Sequence, residues 1–325
     1  MDKIRFFGDQ IAHLIEELDF RKEPPELYDP IAYTMNQGGK RLRPLLTLLA
    51  CDLFGGDIQK ALYPALSIEV FHNFTLVHDD IMDRAPLRRG KETVYKKWNS
   101  DIAILAGDTM FALAYTYALK TDAEIVPEIL TVFSKAAIEV CEGQQYDMNF
   151  EQLASVSIDE YIRMIRLKTA VLLGASLEIG AICARADQND VRKLYQFGIE
   201  LGIAFQLKDD LLDVYGDTEK FGKLSGGDIA TNKKTFLYLK AMELANNKQN
   251  KELKQWYSQN TSIDPNHKIQ AVKKIFDELN IQNLTGETMT GYFERSLAHL
   301  DSVHADATRK DDLRLFATQL FNRTY

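Results

Sequence analysis

The sequence has little of what builds disulfide-rich, membrane-spanning or nucleic-acid-binding proteins. Its 325 residues include only three cysteines, none of them in a CxxC pair: Cys51, Cys141 and Cys183. We expect these to be buried free thiols of a protein in a reducing, cytoplasmic compartment. The net charge of −8 argues against nucleic acid as a partner. The longest apolar stretches, such as 169–183, are too short for a bilayer span, so we expect no stable membrane insertion.

Proline is also scarce, and the long interval between Pro127 and Pro265 contains none. Apolar residues recur there at helical spacing: Ile162, Ile165, Leu172, Leu173, Leu177 and Ile179. No run of alternating apolar and polar residues is bounded by hairpin turns, so strands are not expected. No flexible linker divides the chain. We therefore predict an all-α protein, a single domain over residues 1–325 made of many long helices.

Two aspartate clusters with the same internal spacing lie about 130 residues apart in the sequence. Their members are Asp79, Asp80 and Asp83 in DDIMD, and Asp209, Asp210 and Asp213 in DDLLD. Residues four positions apart lie on one face of a helix, with Cβ atoms about 5–6 Å apart. Carboxylates held that close repel each other unless a cation lies between them, and Mg²⁺ binds a few carboxylates together with substrate phosphates. Two clusters facing each other would form a magnesium site open to a phosphorylated ligand.

A single DDxxD string on a helix is often only a solvated acidic face. Here each cluster ends a largely apolar helical run, residues 65–82 and residues 192–215, which suits the mouth of a cavity. The C-termini of helices also carry partial negative charge, which favours cations there. The pair of clusters therefore predicts a metal site.

Basic residues flank the first cluster on both sides. The segment GGKRLRP at 38–44 places three cationic side chains behind a glycine pair, and Arg88 and Arg89 follow the cluster. Glycine lets the backbone approach an anion closely, and guanidinium groups bind phosphate oxygens bidentately. Taken singly, such groups are more often solvated loops with surface ion pairs. Beside aspartates in a net acidic protein, they favour a diphosphate held partly by metal and partly by arginine and lysine.

These segments together resemble the trans-isoprenyl diphosphate synthases. The resemblance is carried by GGKRLRP, HNFTLVHDDIMDRAPLRRG at 72–90, LKTA at 167–170 and FQLKDDLLDVYGD at 205–217, in that order. It covers roughly residues 35–240 and leaves the part after residue 245 without a motif of its own. It implies the isoprenoid synthase fold, with about ten or more long, mostly antiparallel helices around a central catalytic cavity. It also implies a short-chain prenyltransferase. The implied substrates are isopentenyl diphosphate and an allylic diphosphate, namely dimethylallyl, geranyl or farnesyl diphosphate.

The resemblance also implies roles for individual residues. Those that match the Mg²⁺ ligands are Asp79, Asp83 and Asp209, with Asp80 and Asp213 supporting them. The implied cofactor is Mg²⁺, about three ions per active site, with Mn²⁺ as a substitute. Those that match the allylic diphosphate site are Arg88, Lys168, Lys223 and Lys233. Those that match the metal-free isopentenyl diphosphate site are Lys40, Arg43, His72 and Arg89. The polar groups that line the reacting carbons are Thr169 and Gln206.

Two residues just before the first cluster bear on product length. In the resembling family, a bulky aromatic residue five positions before the first aspartate, here Phe74, limits the length of the product. Phe74 is followed by the small Thr75, and the cluster lacks the insertion that bacterial farnesyl diphosphate synthases usually carry. This pattern favours geranylgeranyl diphosphate as the product, with farnesyl diphosphate as the alternative.

Other classes remain open on the sequence alone. A terpene cyclase uses the same metal-triggered ionisation but has no need of a second diphosphate site. A non-catalytic subunit of a heteromeric synthase commonly loses motif aspartates, and all six are present here. A metal-dependent phosphohydrolase is disfavoured by the apolar helices that lead to both clusters.

Two further expectations concern helix packing. The resemblance implies a homodimer, and the apolar helical run 102–119 is a candidate for the contact between subunits. His78 stands beside Asp79, but histidine is a borderline ligand in an oxygen-rich site, so we expect it to be structural.

Overall fold

The computed structural model of the protein describes residues 2–18, 20, 22–216, 226–258 and 264–322. The chain forms two compact units. The first is drawn from Met1–Ala136, Leu172–Tyr195 and Ser302–Phe316. The second is drawn from Ala137–Val171, Gln196–Asp301 and Ala317–Tyr325. The expectation of a single domain over residues 1–325 stays a prediction.

The helices of the described residues confirm the all-α class. In chain order they are α1 (Asp2–Glu17), α2 (Pro25–Met35), α3 (Leu42–Leu53), α4 (Ile58–Met82), α5 (Val94–Lys97), α6 (Ser100–Ala118), α7 (Val126–Gln152), α8 (Ile158–Ile165), a π-helical turn (Arg166–Ala170), α9 (Val171–Cys183), α10 (Gln188–Tyr215), α11 (Gly227–Ala230), α12 (Phe236–Leu244), α13 (Asn247–Trp256), α14 (Pro265–Glu278), α15 (Ile281–Ser302) and α16 (Ala307–Asn322). The proline-free interval is helical over most of its described length, as its spacing predicts.

One short pair of strands was not expected from the sequence. β1 (Leu87–Arg88) pairs antiparallel with β2 (Lys91–Glu92), with Leu87 opposite Glu92. The two residues between them, Arg89 and Gly90, both have positive φ, 52° and 75°. That is the conformation of a tight hairpin turn. Strands of two residues are too short to show period-two alternation, so pattern reading could not detect them.

In the first unit, helix α4 carries the first aspartate cluster. The side chain of Asp57 caps its N-terminus, which satisfies a backbone donor that the helix leaves unpaired. The middle of the helix is buried, and Leu66, Ile68 and Val70 are inaccessible to solvent. Each buried side chain of this size stabilises the fold by roughly 2 kcal/mol. Packing therefore holds the helix firmly, and the carboxylates stand at its C-terminal end.

In the second unit, helix α10 carries the second cluster in its last two turns. Helix α8 begins at a capping box in which Ser157 and Glu160 each bond to the other's backbone N–H. It continues into the π-helical turn, which is a rare conformation that often marks a functional site. The second unit therefore contains an irregular helix end, at the π-helical turn after α8. It also contains a charged helix end, at the C-terminus of α10.

The cysteines are free, as predicted, but one of them is not buried. Cys51 and Cys183 are buried, whereas Cys141 is exposed. The expectation for Cys141 was wrong because α7 is amphipathic. Ile138 and Gln145, three and four residues away on the same face, are exposed as well. The apolar stretch around Cys141 therefore includes an outward-facing stripe.

Candidate active site

The three aspartates of the first cluster differ in exposure. Asp79 is half-buried, Asp83 is exposed, and Asp80 is buried with 4% of its surface accessible. Asp83 follows the last residue of α4 and donates its backbone N–H to the Asp79 carbonyl (2.8 Å), which ends the helix. Asp79 and Asp83 are therefore at least partly accessible to solvent, and their role as metal ligands stays a prediction.

Asp80 instead holds an arginine. Its Oδ1 accepts from Arg88 Nε at 2.9 Å and Nη2 at 2.8 Å. Because the carboxylate is buried, this charge-assisted pairing is stronger than a surface ion pair. Asp80 therefore orients the guanidinium of Arg88. A small cavity beside the pair is lined by Thr34, Gln37, Asn73, Leu76, Val77, Asp80, Arg88, Arg89 and Val94.

The glycine-rich loop before α3 is shaped by left-handed backbone. Gly38, Gly39 and Arg41 have φ of 75°, 136° and 46°. A Cβ at Gly39 would lie 2.7 Å from Arg89 Nη1, so a side chain at this position would displace that guanidinium. Arg89 also donates to the Gly38 carbonyl. The loop and Arg89 are therefore held together.

A buried glutamate fixes the other end of this loop. The Arg41 guanidinium donates to Glu69 Oε1 and to the Met35 carbonyl. Glu69 is 2% exposed and also accepts from Asn73 Nδ2 at 2.9 Å. Sequence analysis missed Glu69, although a lone acid within the apolar run 65–77 is a signal of a buried ionic partner.

His72 and Arg43 are in contact, with 3.1 Å between His72 Nε2 and Arg43 Nη1. Burial, and then the charges of Arg43 and Arg89, hold the pKa of His72 well below its ordinary value. The imidazole is therefore neutral, and because arginine can only donate, Nε2 accepts and the proton lies on Nδ1. Burial also lowers the pKa of Arg43 to about 10, so it stays charged at neutral pH.

The concentration of positive charge in the first unit suits a polyanion. Burial and the charge of Arg41 lower the pKa of Arg89, while the charge of Glu69 opposes that shift. Like charges packed this closely repel each other, and an anion with several negative oxygens would relieve that repulsion. Lys40 at the loop tip is exposed. The diphosphate site expected from Lys40, Arg43, His72 and Arg89 stays a prediction.

Phe74 belongs to an aromatic cluster within the first unit. Its ring stacks on Phe111 with 5.1 Å between centroids and lies 5.5 Å from Phe71. Tyr115 and Phe133 extend the cluster, with 4.8 Å between their rings. Phe74 itself is only half-buried, so part of its ring remains accessible. Thr75 donates to the His72 carbonyl at 2.8 Å.

His78 faces helix α6 and is structural, as expected. Its Nε2 lies 3.3 Å from the Ile104 carbonyl, and its ring lies 4.7 Å from Phe74. A Cβ at Gly107 of α6 would stand 2.3 Å from the same nitrogen. The glycine thus makes room for the imidazole between the two helices.

In the second unit, the aspartates of α10 also divide their roles. Asp210 is buried and accepts from the Tyr161 hydroxyl and from Gln206 Nε2 (3.1 Å). Asp213 Oδ2 accepts the backbone N–H of Asp228 at 3.0 Å. Asp209 is half-buried. Asp210 and Asp213 are thus bonded to protein groups, and the ligand role of Asp209 and the supporting role of Asp213 stay predictions.

The carboxylates at this helix end carry excess negative charge. Burial, and then the charge of Asp228, raise the pKa of Asp210 to about 7 and that of Asp213 to about 6. A cation among them would reverse this effect by favouring the ionised forms. Asp228 was missed from the sequence because it lies outside both clusters.

The π-helical turn presents Lys168 and Thr169. A Cβ at Gly143 would lie 2.3 Å from Lys168 N, and one at Gly202 would lie 2.5 Å from Ala170 Cα. The two glycines therefore let α7 and α10 pack directly against the widened turn. Thr169 Oγ1 donates to Gln206 Oε1 at 3.1 Å, which brings together the two polar groups assigned to the reacting carbons.

Asp147 links two of the predicted lysines. Its Oδ2 lies 2.6 Å from Lys168 Nζ and 4.0 Å from Lys233 Nζ. Burial opposes ionisation of this carboxyl, but the charges of Lys233 and Lys168 keep its pKa below the ordinary value. No sequence pattern marks Asp147, which shows its role only through these contacts. Lys223, the remaining predicted lysine, lies outside the described residues.

The donor set fits a hard divalent cation. The candidate ligands are all carboxylate oxygens, which suit Mg²⁺ or Mn²⁺ better than zinc. Among the residues that the structure describes, no three His, Cys, Asp or Glu side chains gather as a complete metal site. The magnesium site stays a prediction.

The all-α fold is accompanied by aspartate clusters and clustered cationic side chains, and comparisons with known proteins identify the family. The Polyprenyl synthetase family profile matches residues 24–279. A geranylgeranyl pyrophosphate synthase of Geoglobus acetivorans is 42% identical over 244 residues, which cover 74% of this chain and 75% of that one. A geranylgeranyl diphosphate synthase of Sulfolobus acidocaldarius is 44% identical over 231 residues, 70% of each chain. A crystal structure of a geranylgeranyl pyrophosphate synthase superposes with a TM-score of 0.94 at 42% identity, and the match covers 100% of both chains.

The chain belongs to the polyprenyl synthetase family and is a prenyltransferase. The match covers the motif-bearing region and extends past residue 245 into helix α14. The resemblance to the trans-isoprenyl diphosphate synthases, with their isoprenoid synthase fold, is confirmed.

Proposed function

We propose that the protein elongates an allylic diphosphate with isopentenyl diphosphate in trans geometry and releases geranylgeranyl diphosphate. The observation that carries this proposal is that the cationic residues fall into two groups with different contacts. His72 lies 3.1 Å from Arg43, and the charges of Arg43 and Arg89 both lower the pKa of His72, so these three residues lie near one another. Arg88 and Lys168, in contrast, are each paired with an aspartate. Two diphosphates, one bound with metal and one without, require this division.

The proposed chemistry begins with ionisation of the allylic C–O bond. Mg²⁺ bound by Asp79, Asp83 and Asp209 would supply electrostatic stabilisation of the departing diphosphate. Arg88, Lys168 and Lys233 neutralise the charge that develops on its oxygens. Asp80 and Asp147 support this step because they orient the cationic groups.

Carbon–carbon bond formation follows at the allylic cation. The oxygen dipoles of Thr169 and Gln206 soften that cation without trapping it as a strong nucleophile would. The double bond of isopentenyl diphosphate, whose diphosphate is held by Lys40, Arg43, His72 and Arg89, attacks the cation. A proton then leaves to the released diphosphate. Water must be excluded because it would convert the cation to an alcohol.

The decisive experiment is an assay of the purified full chain. It contains Mg²⁺, radiolabelled isopentenyl diphosphate and one of the three allylic primers, and the dephosphorylated products are separated by chromatography. We expect a twenty-carbon alcohol. A fifteen-carbon product would support the farnesyl alternative instead. Hydrocarbon formed without isopentenyl diphosphate would indicate a terpene cyclase, and phosphate release alone would indicate a phosphohydrolase.

We also propose that the enzyme is a homodimer that uses helix α6. Ile104, Leu105 and Leu119 on or beside this helix are large apolar residues with 42%, 58% and 51% exposure. An exposed apolar stripe on a helix whose other residues are buried in the fold is typical of an interface between subunits. None of the described helices is long and apolar enough to cross a membrane. The cytoplasmic location stays a prediction from the reduced cysteines.

Leu105→Glu is expected to convert the dimer to a monomer. A charge buried in an apolar contact without a partner costs several kcal/mol, whereas at a solvated position it costs about 0.5 kcal/mol or less. Light scattering coupled to size exclusion measures the mass. Leu244→Glu, at a 44% exposed leucine on α12, is the matched control and should leave the mass unchanged. A dimer that survives Leu105→Glu would show that the stripe is not the interface.

A further inference from the structure

A buried lysine in the motif-free C-terminal region contacts the turn that carries Lys233. Lys268, on α14, is 6% exposed. Its ammonium donates to the Asn232 side-chain oxygen and to the Ala230 carbonyl, the latter at 3.4 Å. Ala230 is the last residue of α11, where helix carbonyls lack intrahelical partners. Lys268 thus caps α11 and binds the residue immediately before Lys233.

The segment held in this way is a sharp turn with functional groups at both ends. Asn232 has a positive φ of 63°, and the Lys233 N–H donates to the Asp228 carbonyl at 2.8 Å. Asp228 donates its own N–H to Asp213 of the second cluster. The path from Lys268 to Lys233 and Asp213 is therefore a short chain of hydrogen bonds.

The next residue of α14 holds the other end of the same segment. A Cβ at Gly226 would lie 2.7 Å from the Ile269 side chain, so the backbone there rests directly on the helix. Gly226 donates its N–H to the Asp213 carbonyl at 2.6 Å. Two consecutive residues of α14 thus fix residues 226–233 against the end of α10.

Burying this ammonium has a cost that the fold could have avoided with an apolar side chain. An ionised group taken out of water is tolerated only when hydrogen bonds compensate it. Burial lowers the pKa of Lys268, and its ring contact with Tyr257, 5.1 Å from the ammonium to the centroid, offsets part of the cost. The acceptors of Lys268 are neutral groups of the turn, so the charged ammonium acts to hold the turn in place.

We propose that Lys268 is a positioning residue for Lys233. By fixing the turn at Ala230 and Asn232, it holds the Lys233 ammonium near Asp147, within 4.0 Å, where it meets the allylic diphosphate. The inference rests on the proposed function. It gives the C-terminal region a role in substrate binding.

The test compares variants of the full chain in steady-state kinetics with each substrate varied separately. Lys268→Met should raise KM for the allylic diphosphate about tenfold to a hundredfold, as for other losses of a supporting contact, and leave KM for isopentenyl diphosphate within about twofold. Lys268→Arg should recover much of the loss. Lys274→Met, at an exposed lysine of the same helix, is the control and should match the wild type.

Asn232→Gly provides an independent arm of the test. Glycine tolerates the positive φ, so this change removes only the acceptor. It should raise the same KM, and the double variant should be no worse than Lys268→Met alone. If Lys268→Met fails to fold, the KM of Asn232→Gly for the allylic diphosphate tests the proposal by the same criterion.

An unchanged allylic KM, or equal losses for both substrates, would overturn the proposal while the wild type remains active. Failure of the proposed function has a different signature, because the wild type itself would then turn over no pair of substrates.

Discussion

Asp79→Ala and Asp209→Ala are each expected to lower kcat by about three orders of magnitude, since metal ions commonly provide several kcal/mol of transition-state stabilisation. Both carboxylates stand near the C-terminal ends of helices, where partial negative charge already favours cations. Both are half-buried, whereas the neighbouring Asp80 and Asp210 are buried and bonded to protein groups. The measurement is single-turnover formation of product at saturating substrates and Mg²⁺.

The control for this pair is Asp311→Ala on α16. Its carboxylate is 74% exposed and pairs with Arg314 at 3.6 Å on the protein surface, so kcat should not change. Partial recovery of either active-site variant at high Mg²⁺ or Mn²⁺ would support a direct ligand role. A rate close to the wild type in either variant would remove that aspartate from the metal site.

Phe74→Ala is expected to lengthen the product beyond twenty carbons. The half-buried ring of Phe74 stacks on Phe111 in the aromatic cluster. Removing it leaves a cavity that a growing isoprenoid chain can fill, and filling an apolar cavity is favourable by about 0.8 kcal/mol per buried CH₂. Chromatography of the dephosphorylated products measures the shift. Phe74→Leu should give an intermediate distribution.

Phe6→Ala is the control for product length, because Phe6 lies on α1 and is 55% exposed. It should leave the distribution unchanged. Thermal unfolding of Phe74→Ala should be followed in parallel so that products are collected from folded enzyme. If the folded variant makes the same products as the wild type, Phe74 is not the residue that limits length.

The sequence predicts the features of the site that depend on spacing along one helix. The clusters were expected at the ends of helical runs 65–82 and 192–215, and the structure ends those helices at Met82 and Tyr215. Residues four positions apart on a helix lie on the same face, and this relation does not depend on what packs around the helix. The structural role of His78 also followed from local chemistry, and its contacts with α6 bear this out.

Contacts between residues that are far apart in the sequence could not be predicted from spacing along one helix. Asp147 meets Lys168 and Lys233 only because folding brings α7 beside the π-helical turn, and nothing in the local sequence around it marks an ion pair. The turn itself depends on Gly143 and Gly202, which look like ordinary helix interruptions until their neighbours are known. The exposure of Cys141 could not be predicted either. Its neighbours in the sequence are apolar, but Cys141 lies on the one exposed face of α7.

By itself, the sequence determined the all-α class, the family and the types of residue that can bind metal and diphosphate, because these follow from composition, spacing and motif. Only the tertiary structure decided which charges are paired. Asp80 with Arg88, Glu69 with Arg41 and Lys268 with Asn232 are interactions that depend on burial and distance. Whether a carboxylate binds a cation from solution or a side chain of its own protein is decided by what packing places within reach, and that information is not local.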